Sequence, residues 1–463
     1  MNQIAQRVAP LLAALLLAAC SVTPELKAPV LPVPAAFKEA QAADGTRWKV
    51  GQPAEAQPRG QWWLAFHDPE LSAMVDQATQ ANASLAVAAA RVKQARALAG
   101  VSEADRSIQV GAGVGAQRSR ALGNAYQASL TASYEVDLFG RVGANVSAAQ
   151  ADAASSEATY KSVLLALQAD VAQTYFRIRA TDAELTTLGR SADLRAQSVK
   201  VNQSRFDNGD IGEFDLVRAK TELAAARAEA IGLQRQRVQL EHALAVLLGK
   251  PAANFAANAN PLLETALLPS IPAGLPSKLL ERRPDVTAAQ RAMVASNARI
   301  GEARAAMFPA LSLSANGGGA SDALSNVLKW SSRSWMLGAL MSMPIIDGGR
   351  NKANVARSEA VLEESVAAYR QNVLVAFAEV EDNLAGLRIL AAQSEQVDAG
   401  VVLARRSADL AQKLYQAGRS SYLDLLDAQR NLVGVERSAA QLRGNQAVTT
   451  VALIRSLGGG WEN

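Results

Sequence analysis

The sequence predicts a mainly α-helical chain with a β-barrel part, built as a duplicated unit of long helices and a β-hairpin. Three observations carry this. Prolines crowd the stretch from Pro24 to Pro69, return from Pro251 to Pro309 and once more at Pro344, and leave 70–250 and everything after Pro344 free. Proline removes a backbone donor and clashes with the preceding turn, so long helices are confined to those two windows. Second, Arg141 recurs as Arg350, Phe206 as Tyr415, Gly209 as Gly418, Asp215 as Asp424 and Gly249 as Gly458, each pair 209 positions apart. A constant offset without gaps marks an internal repeat. Third, AYQASLTASYEVDL alternates apolar and polar residues, which is the period of a strand with two unlike faces.

Each element of the unit follows from periodicity. A first helix is expected at about 70–105 in copy one and 285–307 in copy two; ARVKQARA from Ala90 resembles ARIGEARA from Ala298. A hairpin follows at 107–138, with IQVGAGVGA as its first strand and Gly123-Asn124 at its tip. Tyr126, Leu130, Tyr134, Val136 and Leu138 share one face of the second strand, while Gln127, Ser129, Thr131, Ser133, Glu135 and Asp137 share the other. Copy two repeats the hairpin less cleanly at 311–345. A long helix comes next, 141–206 and 350–415, spanning about 100 Å at 1.5 Å per residue. After a glycine turn the last helix runs over 214–248 and 421–457. In the first of these, Leu216, Ala219, Leu223, Ala226, Ala230, Leu233, Leu240, Leu244 and Leu247 form a coiled-coil seam interrupted by Arg237. The short helices on either side of the strands and turn together match the long one in length, so they are expected to stack end to end beside it.

The N-terminus has the form of a bacterial export signal. Arg7 precedes a short apolar run, Val8 to Ala19, too short to span a membrane, and the run ends in LAAC. This resembles a lipobox, which implies removal of residues 1–19 and a covalent lipid on Cys20. Three acyl chains would anchor the chain firmly, and Ser21 after the cysteine resembles the outer-membrane pattern. Cys20 is the only cysteine among 463 residues, which excludes an intramolecular disulfide.

Composition narrows function. The 47 basic and 43 acidic residues intermix to a net charge of +4, without the concentrated basic face that nucleic acid requires. His67 and His242, the only histidines, lie in unrelated segments, so no metal site is expected. Gly317 to Gly319 lack the lysine of a phosphate loop and are placed between a strand and a hairpin loop. No nucleophile–base pair is visible, so no enzyme and no cofactor are expected. Trp62, Trp63 and Phe66 before Asp68-Pro69 suit a hydrophobic staple leading into the first helix.

Four strands are too few to close a barrel, and an open sheet in lipid leaves unsatisfied edges. Several chains are therefore expected to share one barrel, with polar faces toward water and apolar faces toward lipid. The aqueous interior would accommodate Glu135 and Asp137 within strands.

At this point the chain resembles the outer membrane factors, the TolC-like and OprM-like efflux and secretion channels. The likeness runs from Cys20 to about Gly458. It rests on WWLAFHDPELSAMVDQATQAN, YEVDLFGR, RRPDV with ARIGEARAAMFPALSL after it, and YQAGRSSYLDLLDAQR, four motifs in order on a duplicated frame. It implies a homotrimer sharing a 12-stranded membrane β-barrel and a 12-helix periplasmic α-barrel, with a belt formed by residues 20–68, 250–284 and the C-terminal 459–463, between repeats 69–249 and 285–458. The lipobox and the WWLAF motif favour the lipoprotein branch of drug efflux over type I secretion. The implied partners are a periplasmic adaptor, an inner-membrane transporter of RND type, and outer membrane lipid. The resemblance also implies that Phe206, Gly209, Tyr415, Gly418 and Arg419 lie at the periplasmic tip that meets the adaptor. It places gate carboxylates at Asp215, Asp424 and Asp427; Asp215 and Asp424 also suit the first turn of a helix, a role that weighs equally with the gate for Asp215, whereas Asp427 lies deeper in its helix and favours the gate. Rings of like charge in a narrow tube repel and favour opening unless compensated. The arginine that the family sometimes carries two residues after the second glycine is Ser420 here, preceded by Arg419. A structural coiled-coil lipoprotein is the alternative, and it leaves the alternation of 126–138 without a purpose.

Overall fold

A computed structural model describes residues 22–27, 29, 33–34, 36–39, 60–121, 123–262, 268–269 and 282–459. The signal segment and Cys20 lie outside the described residues, as does much of 250–284. The elements are α1 (Pro69–Ala81), α2 (Ala83–Ala104), β1 (Gln109–Ser119), β2 (Gly123–Val136), α3 (Arg141–Asp207), α4 (Glu213–Leu247), α5 (Pro284–Ala305), β3 (Ala310–Ser321), β4 (Arg333–Ser342), α6 (Arg350–Gln416) and α7 (Tyr422–Ser456). The chain divides into two compact units, and each takes pieces of both sequence copies. One comprises Met1–Leu31, Ala88–Tyr160 and Asp285–Val373; the other comprises Pro32–Val87, Lys161–Pro284 and Leu374–Asn463.

The first unit holds a four-stranded antiparallel sheet in the order β1-β2-β3-β4, so the two hairpins join through β2 and β3. Register puts Val110, Ala112 and Val114 opposite Ala132, Leu130 and Ala128, then Leu313 opposite Tyr134 and Leu337 opposite Ala315, all on one face. Thr131, Ser133 and Glu135 lie opposite Gly111, Gln109 and Ser312 on the other. Around the sheet's helical junctions, Arg96 pairs with Glu157 at 2.7 Å, Arg304 with Glu359 at 2.7 Å, and Arg299 with Asp152. The N-terminal segment runs along α5: the Pro24 carbonyl accepts from Asn297 Nδ2 at 2.9 Å. A Cβ on Gly301 would meet Thr23 Oγ1 at 2.0 Å, so only glycine admits that segment.

The structure revises three expectations for the hairpins. The first hairpin turns one step before Gly123-Asn124, because Gly123 already pairs with Ser119 and uses its positive φ of 73° to enter the strand. Asp137 is not a strand residue. β2 ends at Val136, and the Asp137 carboxylate accepts the Val142 and Gly143 N–H groups at 3.0 and 2.7 Å, capping α3. Gly317, Gly318 and Gly319 are inside β3, paired with Leu130, Ser129 and Ala128, rather than leading out of it.

In the second unit the core is built from small residues and leucines: Ala169, Val171, Leu188, Ala219, Leu244, Leu425, Leu426 and Ile454 are fully or almost fully buried. Every position of the α4 seam is buried or half-buried. Arg237 continues the seam instead of breaking it: its Nε donates to Asp182 at 2.5 Å, Nη1 to Glu241 at 2.7 Å and Nη2 to the Ala257 carbonyl at 2.9 Å. Asn82 joins two helices end to end. Its Oδ1 accepts from Leu85 N at 3.0 Å, starting α2, while its Nδ2 donates to the Leu247 carbonyl at 2.9 Å, closing α4. In copy two Arg283 Nη1 reaches the Ser456 carbonyl at 3.2 Å, at the end of α7.

The Trp62–Phe66 segment is a 3-10 turn with both tryptophans buried, and Phe66 packs on Phe176 with ring centroids 5.0 Å apart. Asp68 caps α1 through the Glu70 and Leu71 N–H groups. It also accepts Tyr175 Oη at 2.9 Å and Arg179 Nη1 at 2.7 Å.

Candidate functional site

The two helical turns that share a sequence pattern also share a hydrogen-bond pattern. At the end of α3, Gly209 N donates to the Phe206 carbonyl at 2.9 Å and Asp210 N to Arg205 at 2.8 Å. At the end of α6, Gly418 N donates to Tyr415 at 3.0 Å and Arg419 N to Leu414 at 2.9 Å. Both glycines have positive φ, 75° and 69°, the left-handed conformation that stops a helix this way.

The turns diverge at the next helix start. α7 opens on a capping box: Asp424 N donates to Ser421 Oγ at 3.2 Å, and Ser421 N and Oγ donate back to Asp424 Oδ2 at 3.0 and 2.8 Å. The Ser421 hydroxyl and N–H hold the Asp424 carboxyl below the usual aspartate range. The equivalent of Ser421 in copy one is Gly212, which caps α4 without a side chain. Asp215 therefore sits in the first turn of its helix unreciprocated.

Tyr415 is the residue that ties the two turns together. Its hydroxyl donates to Asn202 Oδ1 at 2.8 Å and accepts from Arg205 Nη1 at 3.2 Å, with the guanidinium 5.5 Å from its ring centre. Tyr415 also packs on Tyr422 within a cluster of Ala219, Leu425 and Leu426. One step along, Glu222 of α4 receives Arg195 of α3 at 3.3 Å and also Arg430 of α7. Arg437 then pairs with Glu229 and lies 3.5 Å from Glu184. These links recur every seven residues, Glu222 and Glu229 against Arg430 and Arg437, a heptad signal present in the sequence.

Of the sequence-derived site residues, only Tyr415 makes a side-chain link from one turn to the other. Phe206 is partly exposed, and Arg419 is exposed with no ion pair among the described residues. Asp427 is exposed, 3.7 Å from Arg430. Within one chain the structure does not gather Asp215, Asp424 and Asp427 into one cluster, and no group of residues able to hold a metal occurs among the described residues.

The sheet is the second functional feature. Glu135 receives Arg141 Nε and Nη2 at 2.8 and 2.6 Å, a bidentate pair locking β2 to α3. Its apolar face is bare: Val114 is 89% exposed, Trp335 80% and Leu337 73%. Among the described residues β1 and β4 each have a free edge. No helix among the described residues is long and apolar enough to cross a membrane.

An amphipathic antiparallel sheet continuous with long helices defines the TolC-like class of outer membrane channel folds. Residues 74–250 and 275–459 match the family model described as outer membrane efflux protein, and the chain belongs to that family. It is 34% identical over 468 residues to the solvent efflux pump outer membrane protein SrpC of Pseudomonas putida, covering 98% of each chain. It is 31% identical over 463 residues to the cation efflux system protein CusC of Escherichia coli, again covering 98% of both. Among solved structures it resembles the open state of the Neisseria gonorrhoeae MtrE outer membrane channel, with a TM-score of 0.82 at 27% identity, covering 95% of this chain and 98% of that one.

Proposed function

We propose that the chain is the passive exit duct of a three-component efflux pump, acting as a homotrimer whose three sheets close one 12-stranded barrel in the outer membrane. The observation that carries this is the sheet: one apolar face, an opposite face that is mostly polar and glycine-rich apart from Met336 and Leu340 of β4, and two edges without partners among the described residues. In hydrocarbon those edges lack partners, and each unsatisfied backbone group would cost several kcal/mol, so further strands must complete the ring. Pairing β4 of one chain with β1 of the next supplies them.

The anchor is a lipid on Cys20, delivered after cleavage of 1–19. Thr23 supports this reading, because it packs on Gly301, close before β3. The turns at Phe206, Gly209, Tyr415, Gly418 and Arg419 meet a periplasmic adaptor, and the carboxylates Asp215, Asp424 and Asp427 line the closing end. The Tyr415 and Glu222 links hold that end shut within each subunit. Energy comes from an inner-membrane transporter of RND type, and the duct itself performs no catalysis and carries no cofactor beyond its lipid. Relatives of nearly equal identity are named for solvent and for cation efflux, which suits a duct whose cargo is chosen by the transporter.

Planar-bilayer recording tests this. Purified full-length protein is expected to give discrete conductance steps, larger when Tyr415→Phe and Arg430→Ala loosen the turns. An electrically silent protein that inserts in the bilayer would overturn the reading.

A further inference from the structure

The loop end of the sheet carries charge where the rest of the same face carries none. All four junctions with helices, after α2 and α5 and before α3 and α6, lie at one end of the strands; the link from Ser119 of β1 to Gly123 of β2 and the 322–332 loop lie at the other. Following the register along the apolar face, Arg118 of β1 and Arg333 of β4 are its only charged residues, and both lie at the loop end. Both are exposed, and neither forms an ion pair among the described residues. The 322–332 loop folds onto this same face, because a Cβ on Gly319 would strike the Val327 carbonyl at 2.0 Å. Val327 is buried there, while Trp330 points outward with the Arg333 guanidinium 4.5 Å from its ring centre, and Lys329 lies exposed beside it.

From this juxtaposition we infer that Arg118 and Arg333, with Trp330 and Lys329, form a rim on the lipid-facing side of the sheet that binds phosphate groups of outer-leaflet lipid. The inference rests on the reading of the sheet as membrane-embedded. An arginine on an otherwise apolar, lipid-facing surface is stable only where its head reaches the interface, and tryptophan prefers the same depth. A cationic guanidinium with free donors binds phosphate bidentately. Asp322, in the loop, is engaged by Ser321 Oγ at 3.2 Å and does not neutralise either arginine. Charge, depth and aromatic content therefore agree on one occupant, a phosphorylated lipid headgroup.

The test uses the full chain in detergent, equilibrated with bis-phosphorylated lipid A or with its dephosphorylated form, and native mass spectrometry to count retained lipid. Wild type is expected to prefer the phosphorylated form. R118Q/R333Q is expected to lose about fivefold in retention per arginine removed, whereas R118K/R333K and the remote K220Q keep most of it. Equal retention of the dephosphorylated lipid, or undiminished retention by R118Q/R333Q, overturns the inference. So does a fall in oligomer mass in R118Q/R333Q with lipid retention unchanged, which would assign the rim to a subunit contact. Conductance is measured on the same samples: a conducting protein without lipid preference fails the rim alone, and a silent one fails the channel reading itself.

Discussion

Asp424 shows how one carboxylate is committed by its local chain. Its folded pKa lies below the usual value because Ser421 donates to it twice. A depressed carboxylate contributes stability that is fully present above about 3.9, the unfolded value, and is lost as pH falls through the lower folded value. The start of α7 is therefore expected to loosen in acid below that range. Hydrogen exchange corrected for intrinsic rates checks this: protection at 422–426 should fall at low pH in wild type and be low and pH-independent in D424N. Protection at 422–426 that survives acid in wild type, or falls with acid equally in D424N, would contradict it. The capping box is legible as Ser-x-x-Asp, but sequence alone leaves Asp424 between a gate group and a helix-dipole acid, because the hydrogen bonds from Ser421 are visible only in the folded turn. Asp137 was misread for a related reason. The alternation continues past Val136 on paper, yet the carboxylate is drawn to the N–H groups of Val142 and Gly143, and that hydrogen bonding ends the strand.

At the scale of elements, periodicity located the helices and strands because each buries one face, and a 3.6- or 2-residue period records which. What periodicity could not show is how a seam absorbs a charge. Arg237 looked like an interruption in α4, but it fills the seam by pairing with Asp182, whose side chain is only 3% exposed. Removing one partner strands the other, so R237L is expected to destabilise by about 3–5 kcal/mol despite completing the leucine seam. R237L/D182L should recover most of that loss, since replacing a whole buried pair with apolar groups is close to neutral. Thermal unfolding followed by circular dichroism measures both; an R237L as stable as wild type would show that Asp182 is satisfied without it. The cross-turn ties had a partial signal. The seven-residue spacing of Glu222 and Glu229, and of Arg430 and Arg437, was visible, but which helices those rows join depends on packing that one sequence does not display. Tyr415 was singled out for its place in a repeat, and its partners Asn202 and Arg205 lie some 210 residues away in the chain.

At the scale of the molecule, duplication was the most legible property, since a constant offset needs no knowledge of packing. It misleads in one respect: the compact units are not the two copies, and each unit is assembled from parts of both. The halves of the repeat are therefore structurally interdependent, with β2 of copy one paired to β3 of copy two. The same logic extends beyond the chain, because the outer strands β1 and β4 remain open, and a sheet that ends in bare edges calls for another copy. Disulfide trapping across that edge tests the claim most directly. A panel of cysteine pairs is placed along β1, from Val110 to Val114, and along β4, from Trp335 to Ala339. Within one chain β1 and β4 are three strand spacings apart, about 14 Å, too far for a disulfide, so any bond formed joins different chains. The account predicts that oxidation in intact membranes gives a ladder that stops at three chains. No species above one chain across the panel, or a ladder without end, would contradict it.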